Sequence, residues 1–251
     1  MINVTNGLIQ KVASYSERYI KENLIEEYDK KILLTNWQEA LRFHFDHSFY
    51  QGRSDKVSYR VERRAKYVLE KYINEKNGNP EVILNKENFP EIRSRLMECI
   101  GKGKIGRSRD IEMVVSILEF ISENTERNIV KYSLSRIQNG KIAEHFKELQ
   151  EIHSIGPKCS SFYLRDLVSF YSLDQKINKE DLVCLQPVDT WVRQVAYEAG
   201  IINNLNEPDD NVRTNIVEAC LKSDVSTIRF NQGAWYLGYH SFELLINTLK
   251  E

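Results

Sequence analysis

Cysteine is scarce and dispersed in this chain. Cys99, Cys159, Cys184 and Cys220 stand singly, and no two have the close spacing of a zinc or iron–sulfur site. Reduced thiols are expected, with a disulfide as the open alternative. Long apolar runs are also missing. No stretch approaches the roughly 20 apolar residues of a membrane helix, and the start Met1-Ile2-Asn3-Val4-Thr5-Asn6 lacks a basic region followed by an apolar one. A soluble cytoplasmic protein is expected. An excess of positive charge is absent too, since the net charge is −1. Many nucleic-acid binders are strongly basic, yet a neutral total is compatible with a basic face opposite an acidic one. With 41% hydrophobic and 28% charged residues, the composition is that of an ordinary globular protein and argues against disorder. A length of 251 residues suffices for one large core or two linked lobes.

What is present is helical periodicity. Asn36 precedes Trp37, Leu41, Phe45 and Phe49 at helical spacing, which predicts a capped helix. Ser54 is the expected cap of a second helix with Val57, Val61, Val68, Leu69 and Tyr72, broken by Asn77-Gly78-Asn79-Pro80. Pro90 fits the first turn of a third, which buries Ile92, Leu96, Cys99 and Ile100. After the basic, glycine-punctuated loop 101–109, Asp110 is the expected cap of Ile111, Val114, Val115 and Leu118. Asn139-Gly140 ends the next helix, and Ile142, Phe146, Leu149 and Ile152 mark another. Further helices are predicted from Lys158, Thr190, Pro208 and around 234–249, with a looser stretch at 171–187. No alternating strand pattern, repeat or low-complexity tract interrupts them. The fold class is all-α.

The most informative stretch is Leu149-Gln150-Glu151-Ile152-His153-Ser154-Ile155-Gly156-Pro157-Lys158. One helix ends and another begins across a very short turn. Gly156 has no Cβ, so backbone can approach a phosphate closely. Pro157 suits a first helical turn, where its missing N–H has no partner to lose. The N–H groups of a helix start attract anions, and such a hairpin grips DNA phosphate without reading sequence. An ordinary helical hairpin uses the same punctuation. Lys158 lies in the first turn, where the helix dipole and partial burial both favour the neutral, nucleophilic amine. Taken alone, it is as well explained as a solvated or phosphate-binding lysine.

Asp189, 31 positions later, stands where an N-cap belongs, ahead of Val192, Val195, Ala196 and Ala199. Backbone donors would hold its carboxylate in place and ionised. A fixed anion there can stabilise the positive sugar that forms as a base departs. A purely structural cap is the alternative role.

Together, Ser154-Ile155-Gly156-Pro157-Lys158 and Pro187-Val188-Asp189-Thr190 resemble the signature of the helix-hairpin-helix DNA glycosylases. In that superfamily the lysine marks members that also cleave the DNA backbone. The long link between the two residues is similar to the archaeal 8-oxoguanine glycosylase branch (AGOG). Phe49-Tyr50-Gln51 resembles its early helix, whose glutamine faces the damaged base, and Asn231-Gln232-Gly233-Ala234-Trp235 its late segment, whose tryptophan packs against that base. The branch usually has a glycine where this chain has Ser154 and an acid where it has Asn231.

The resemblance covers 142–200 well and implies a two-lobed all-α fold with a lesion cleft between lobes. The hairpin with its catalytic lysine spans about 142–170. The middle of the chain forms one lobe and both ends contribute to the other, with no boundary legible in the composition. It further implies a bifunctional glycosylase and AP lyase acting on oxidised purine in double-stranded DNA. Lys158 and Asp189 are then catalytic, Gln51, Trp235 and Asn231 contact the base, and Ser154 and Gly156 meet DNA phosphate. No metal, iron–sulfur centre or other cofactor is implied. The protein would be a monomer, nucleoid-associated in a prokaryote. The alternatives are a non-catalytic DNA-binding hairpin module and a glycosylase for another lesion.

Other residues carry two explanations each. Trp37 is a base-stacking or a core tryptophan. Lys102, Lys104, Arg107 and Arg109 are phosphate contacts or solvated surface. His153 touches the hairpin turn, and Arg165-Asp166 either orient the lysine or pair internally.

Overall fold

Asn36 shows how local chemistry sets the first well-marked helix. Its backbone is extended and its side chain accepts from the amides of Gln38 and Glu39, satisfying donors that a helix start leaves without partners. The computed structural model describes residues 2–50, 54–101, 108–123 and 127–250, and among these every regular element is helical. In chain order the helices are α1 (Ile2–Ser14), α2 (Ser16–Ile20), α3 (Lys30–Thr35), α4 (Trp37–Ser48), α5 (Asp55–Glu75), α6 (Phe89–Ile100), α7 (Ser108–Glu123), α8 (Ile129–Gln138), α9 (Ile142–Glu151), α10 (Pro157–Phe170), α11 (Thr190–Glu198), α12 (Asp209–Lys222) and α13 (Thr227–Lys250). No described helix is long and apolar enough to cross a membrane.

The predicted helices are present, with local corrections. Asn77 and Gly78, both at positive φ, terminate the α5 segment, and Gly140 at φ 68° follows α8. Ser54 stands in extended backbone before α5, but its side chain makes no capping bond. Asp110 is not a cap, because α7 starts at Ser108 and places it in the first turn. Cys99 and Phe146 are only half-buried. The looser stretch contains two short 3₁₀ segments, Asp174–Lys176 and Lys179–Leu185. All four cysteines are free.

The chain divides into two compact units, one of residues 30–163 and one of residues 1–29 with 164–251. In the first, α5 packs on α6, α6 on α7, and α4 and α9 on α8. Phe43, Val61, Ile92, Leu96, Val114 and Leu118 are buried within it. In the second, α1 and α11 pack on α13 around Val12, Val195, Ile216, Phe230 and Leu237. Two glycines permit those crossings. A Cβ on Gly233 would lie 1.9 Å from the Val12 carbonyl oxygen, and one on Gly238 would lie 2.3 Å from the Trp191 Cβ. Contacts this short leave no room for a methyl group.

Candidate functional site

The hairpin belongs to the unit of residues 30–163. After α9, Ile152 and Ile155 turn inward and are buried. The Ile155 amide closes the turn on the Ile152 carbonyl at 3.0 Å, and the His153 amide donates to Ser116 Oγ of α7 at 3.0 Å. Ser154 is left-handed at φ 63°, a conformation that favours glycine. Gly156 is different, because it is not among the positive-φ residues and a Cβ there would meet nothing within 4 Å. Neither backbone conformation nor internal crowding demands glycine at 156. What the missing Cβ provides is open approach from outside.

Lys158 is the second residue of α10 and half-buried. Among the described residues, no hydrogen bond or ion pair takes up its amine. Its neighbour Cys159 is buried, with the thiol 3.9 Å from the Ser48 carbonyl at the end of α4. Burial pushes that thiol up, against the positive charges of Lys158 and Arg109. Lys158 and Arg109 therefore both lie near this thiol. Lys102, Lys104, Arg107 and Gln51 fall outside the described residues, and Trp37 is half-buried.

Deeper in this unit, α10 is braced by a polar chain. Tyr163 Oη lies 3.1 Å from Ser133 Oγ, and Ser133 lies 2.8 Å from His145 Nε2. His145 Nδ1 is 2.9 Å from Glu148 Oε2. The order Ser–His–Glu is that of a nucleophile relay, but Ser133 and His145 are 0% exposed, so this row braces helices. Burial lowers His145 to about 4, with Glu148 opposing. Burial also lowers His44 to about 3, helped by His47 and His145.

Asp189 belongs to the unit formed by both chain ends. It is the N-cap of α11, with Oδ1 accepting from the Val192 amide at 2.8 Å, and it is half-buried. The residues before it are clamped. Arg213 Nε donates to the Gln186 carbonyl at 3.1 Å, and Asn231 Nδ2 to the Pro187 carbonyl at 3.2 Å.

Behind that clamp lies a buried network that the sequence did not reveal. Arg165 donates to Asp166 Oδ1 at 2.8 Å, to Asn231 Oδ1 at 2.7 Å and to Tyr19 Oη at 2.6 Å. Tyr19 donates to Asp166 Oδ2 at 2.5 Å, and Gln232 Nε2 donates to Asp166 Oδ1 at 3.1 Å. Burial works against the Arg165 cation, yet Asp166, Tyr19 and Asp189 outweigh it and its pKa is raised. Burial pushes the Tyr19 phenol well above its usual range, with Arg165 opposing and Asp166 reinforcing. Arg165 and Asp166 thus pair internally, the second of the two roles their sequence allowed.

This network changes the place of Asn231. Its side chain is 0% exposed and both its amide atoms are engaged, so it props the Pro187–Asp189 turn. Trp235 is half-buried, set edge-on to Tyr19 at 5.5 Å and stacked on Tyr239 at 4.9 Å. Asp189, Asn231 and Trp235 therefore share one neighbourhood through Arg165 and Tyr19. Ser154, Gly156 and Lys158 share another, in the other unit. Tyr19 and Gln232 were missed because nothing local marks them; an Arg-Asp pair on a buried helix face is the one signal that a buried partner must exist.

No protein-family profile, curated protein or solved structure matches this chain.

Proposed function

We propose that this protein is a base-excision DNA glycosylase with AP lyase activity, acting on an oxidised purine of the 8-oxoguanine type. The observation that carries it is Lys158, a half-buried residue whose amine has no hydrogen-bond or ion-pair partner among the described residues. It directly follows a tight turn whose Gly156 opens to the outside. Support also comes from the chain's division. The middle holds the hairpin and lysine and the two ends hold the aspartate, as the helix-hairpin-helix resemblance implies.

In the proposed reaction the damaged nucleotide leaves the duplex stack. The Lys158 amine, once it has given up its proton, attacks the sugar C1′ as the glycosidic bond breaks, and the base departs with a proton. The sugar ring opens to an imine on the lysine. Loss of the C2′ proton then expels the 3′-phosphate by β-elimination. The Asp189 carboxylate, held by the Val192 amide, stabilises the positive charge that develops on the sugar. Trp235 offers a rigid stacking surface for the purine, and Gln51 is the proposed edge contact.

A second reading has one observation in its favour. The Asp189 bond to Val192 is also what a plain N-cap makes, and a non-catalytic DNA-binding hairpin would show it equally. Single-turnover release from duplexes carrying 8-oxoguanine, hypoxanthine, an oxidised pyrimidine or an alkylated purine separates these cases. Fastest release is expected from 8-oxoguanine. Faster release of another lesion would move the substrate, and release of none would leave the binding module.

A further inference from the structure

The exposed side of α5 has a composition unlike the rest of its unit. Lys56, Tyr59, Arg60, Arg63, Arg64 and Tyr67 follow one another at helical spacing. Val61, Ala65 and Leu69 occupy the opposite, buried side. Tyr59 and Tyr67 are 55% and 58% exposed. The Arg63 guanidinium lies 5.6 Å from the Tyr59 ring centroid, which orders it over the helix surface. The stripe turns acidic only at Glu70.

Five other arginines among the described residues of this unit pair with carboxylates. Arg42 pairs with Glu39, Arg93 with Glu112, Arg95 with Glu91, Arg127 with Glu81 and Arg136 with Glu148. Arg60, Arg63 and Arg64 have no carboxylate partner among the described residues. Lys66, at the flank of the stripe, is bound to Asp46 of α4 and to Glu62. Like charges three and four residues apart destabilise a helix, so the bare stripe works against the fold that presents it. A polyanion removes that repulsion.

We infer that this face of α5 holds the phosphate backbone of duplex DNA. From Lys56 to Tyr67 a helix rises about 16 Å, and over that length one duplex strand presents about five phosphates. Three of the four cations are arginines, whose planar fork suits phosphate oxygens better than lysine does. A lipid surface is disfavoured, because the apolar side of α5 is buried in the unit and leaves nothing to insert. The helix is also tied to the hairpin region. The last turn of α4 meets α5 through Asp46 and Lys66, and meets α10 beside Lys158 through Ser48 and Cys159. The inference rests on the DNA reading of that hairpin but on none of its chemistry, so undamaged DNA tests it.

The experiment is fluorescence anisotropy of the full chain with a labelled undamaged 21-base-pair duplex between about 50 and 200 mM salt. Wild type is compared with a triple variant, Arg60→Ala with Arg63→Ala and Arg64→Ala, of which Arg60 and Arg63 are exposed and Arg64 is half-buried. The slope of log K against log salt should become shallower by roughly 2 to 3, with affinity falling on the order of tenfold or more. An unchanged slope overturns the inference. So does a larger loss on single-stranded DNA or on phosphatidylserine vesicles than on duplex. Borohydride trapping on lesion DNA reports the proposed reaction separately. Wild type that binds with the expected slope yet never traps keeps the α5 surface and removes the glycosylase. Trapping with an unchanged slope in the variant does the reverse.

Discussion

Replacing Asp189 with asparagine separates two roles that share one side chain. Asp189 Oδ1 accepts the Val192 amide at 2.8 Å, and an asparagine oxygen accepts it as well, since the two residues cap helices about equally. Stability should therefore move by a few tenths of a kcal/mol, against about 1 kcal/mol for Asp189→Ala. Arg165 loses one favourable charge nearby, but Asp166 and Tyr19 still hold it at 2.8 and 2.6 Å. Asparagine does not supply negative charge. If the carboxylate faces the sugar as the base leaves, its neutralisation should slow release on the order of a hundredfold, or about 2.7 kcal/mol in the barrier. Single-turnover release on an 8-oxoguanine duplex measures the rate, and denaturant unfolding of the same preparation measures the fold. A well-folded Asp189→Asn protein releasing base within about threefold of the parent rate would leave Asp189 a cap and nothing more.

Acid should destabilise the unit of residues 30–163 well before its carboxylates alone would require. His44 and His145 have folded-state pKa values of about 3 and about 4 because they are buried neutral. The unfolded chain takes up their protons near pH 6.5, so their contribution is complete above that value and is lost as pH falls toward the folded values. The two together should remove on the order of 4 kcal/mol between about pH 6 and 4, read from unfolding midpoints across that range; a flat profile would contradict this. Ser154→Gly relieves a left-handed serine and should be neutral or stabilising by up to about 1 kcal/mol, with DNA affinity retained. A clear loss of stability would mean that the serine side chain itself carries the turn.

What could be read from the sequence was whatever chemistry acts over a few residues. The Asn36 and Asp189 caps, the Asn139-Gly140 stop and the Gly156-Pro157 turn each depend on neighbours within one helical turn, and each is where the sequence put it. Asp110 failed by the same rule, since Ser108 lies just upstream and the helix starts there. The network around Arg165 was illegible because Tyr19 lies 146 positions away and Asn231 66 positions away. An asparagine that hydrogen-bonds both a loop carbonyl and a buried guanidinium carries no local mark of either partner. The histidines on α4 and α9 were equally silent, because burial rather than a motif sets their behaviour. Gly233 was noticed as part of a motif, but its reason, a carbonyl 1.9 Å from where a Cβ would stand, is tertiary.

The central claim is that the Lys158 amine forms an imine with deoxyribose, and borohydride trapping tests it most directly. Wild-type protein incubated with an 8-oxoguanine duplex and borohydride should yield a covalent protein–DNA adduct, mapped by peptide analysis to Lys158. Lys158→Gln should yield none while still binding the duplex within several-fold, because a single cation is a small part of a phosphate interface. Adduct formation undiminished in Lys158→Gln would contradict the account.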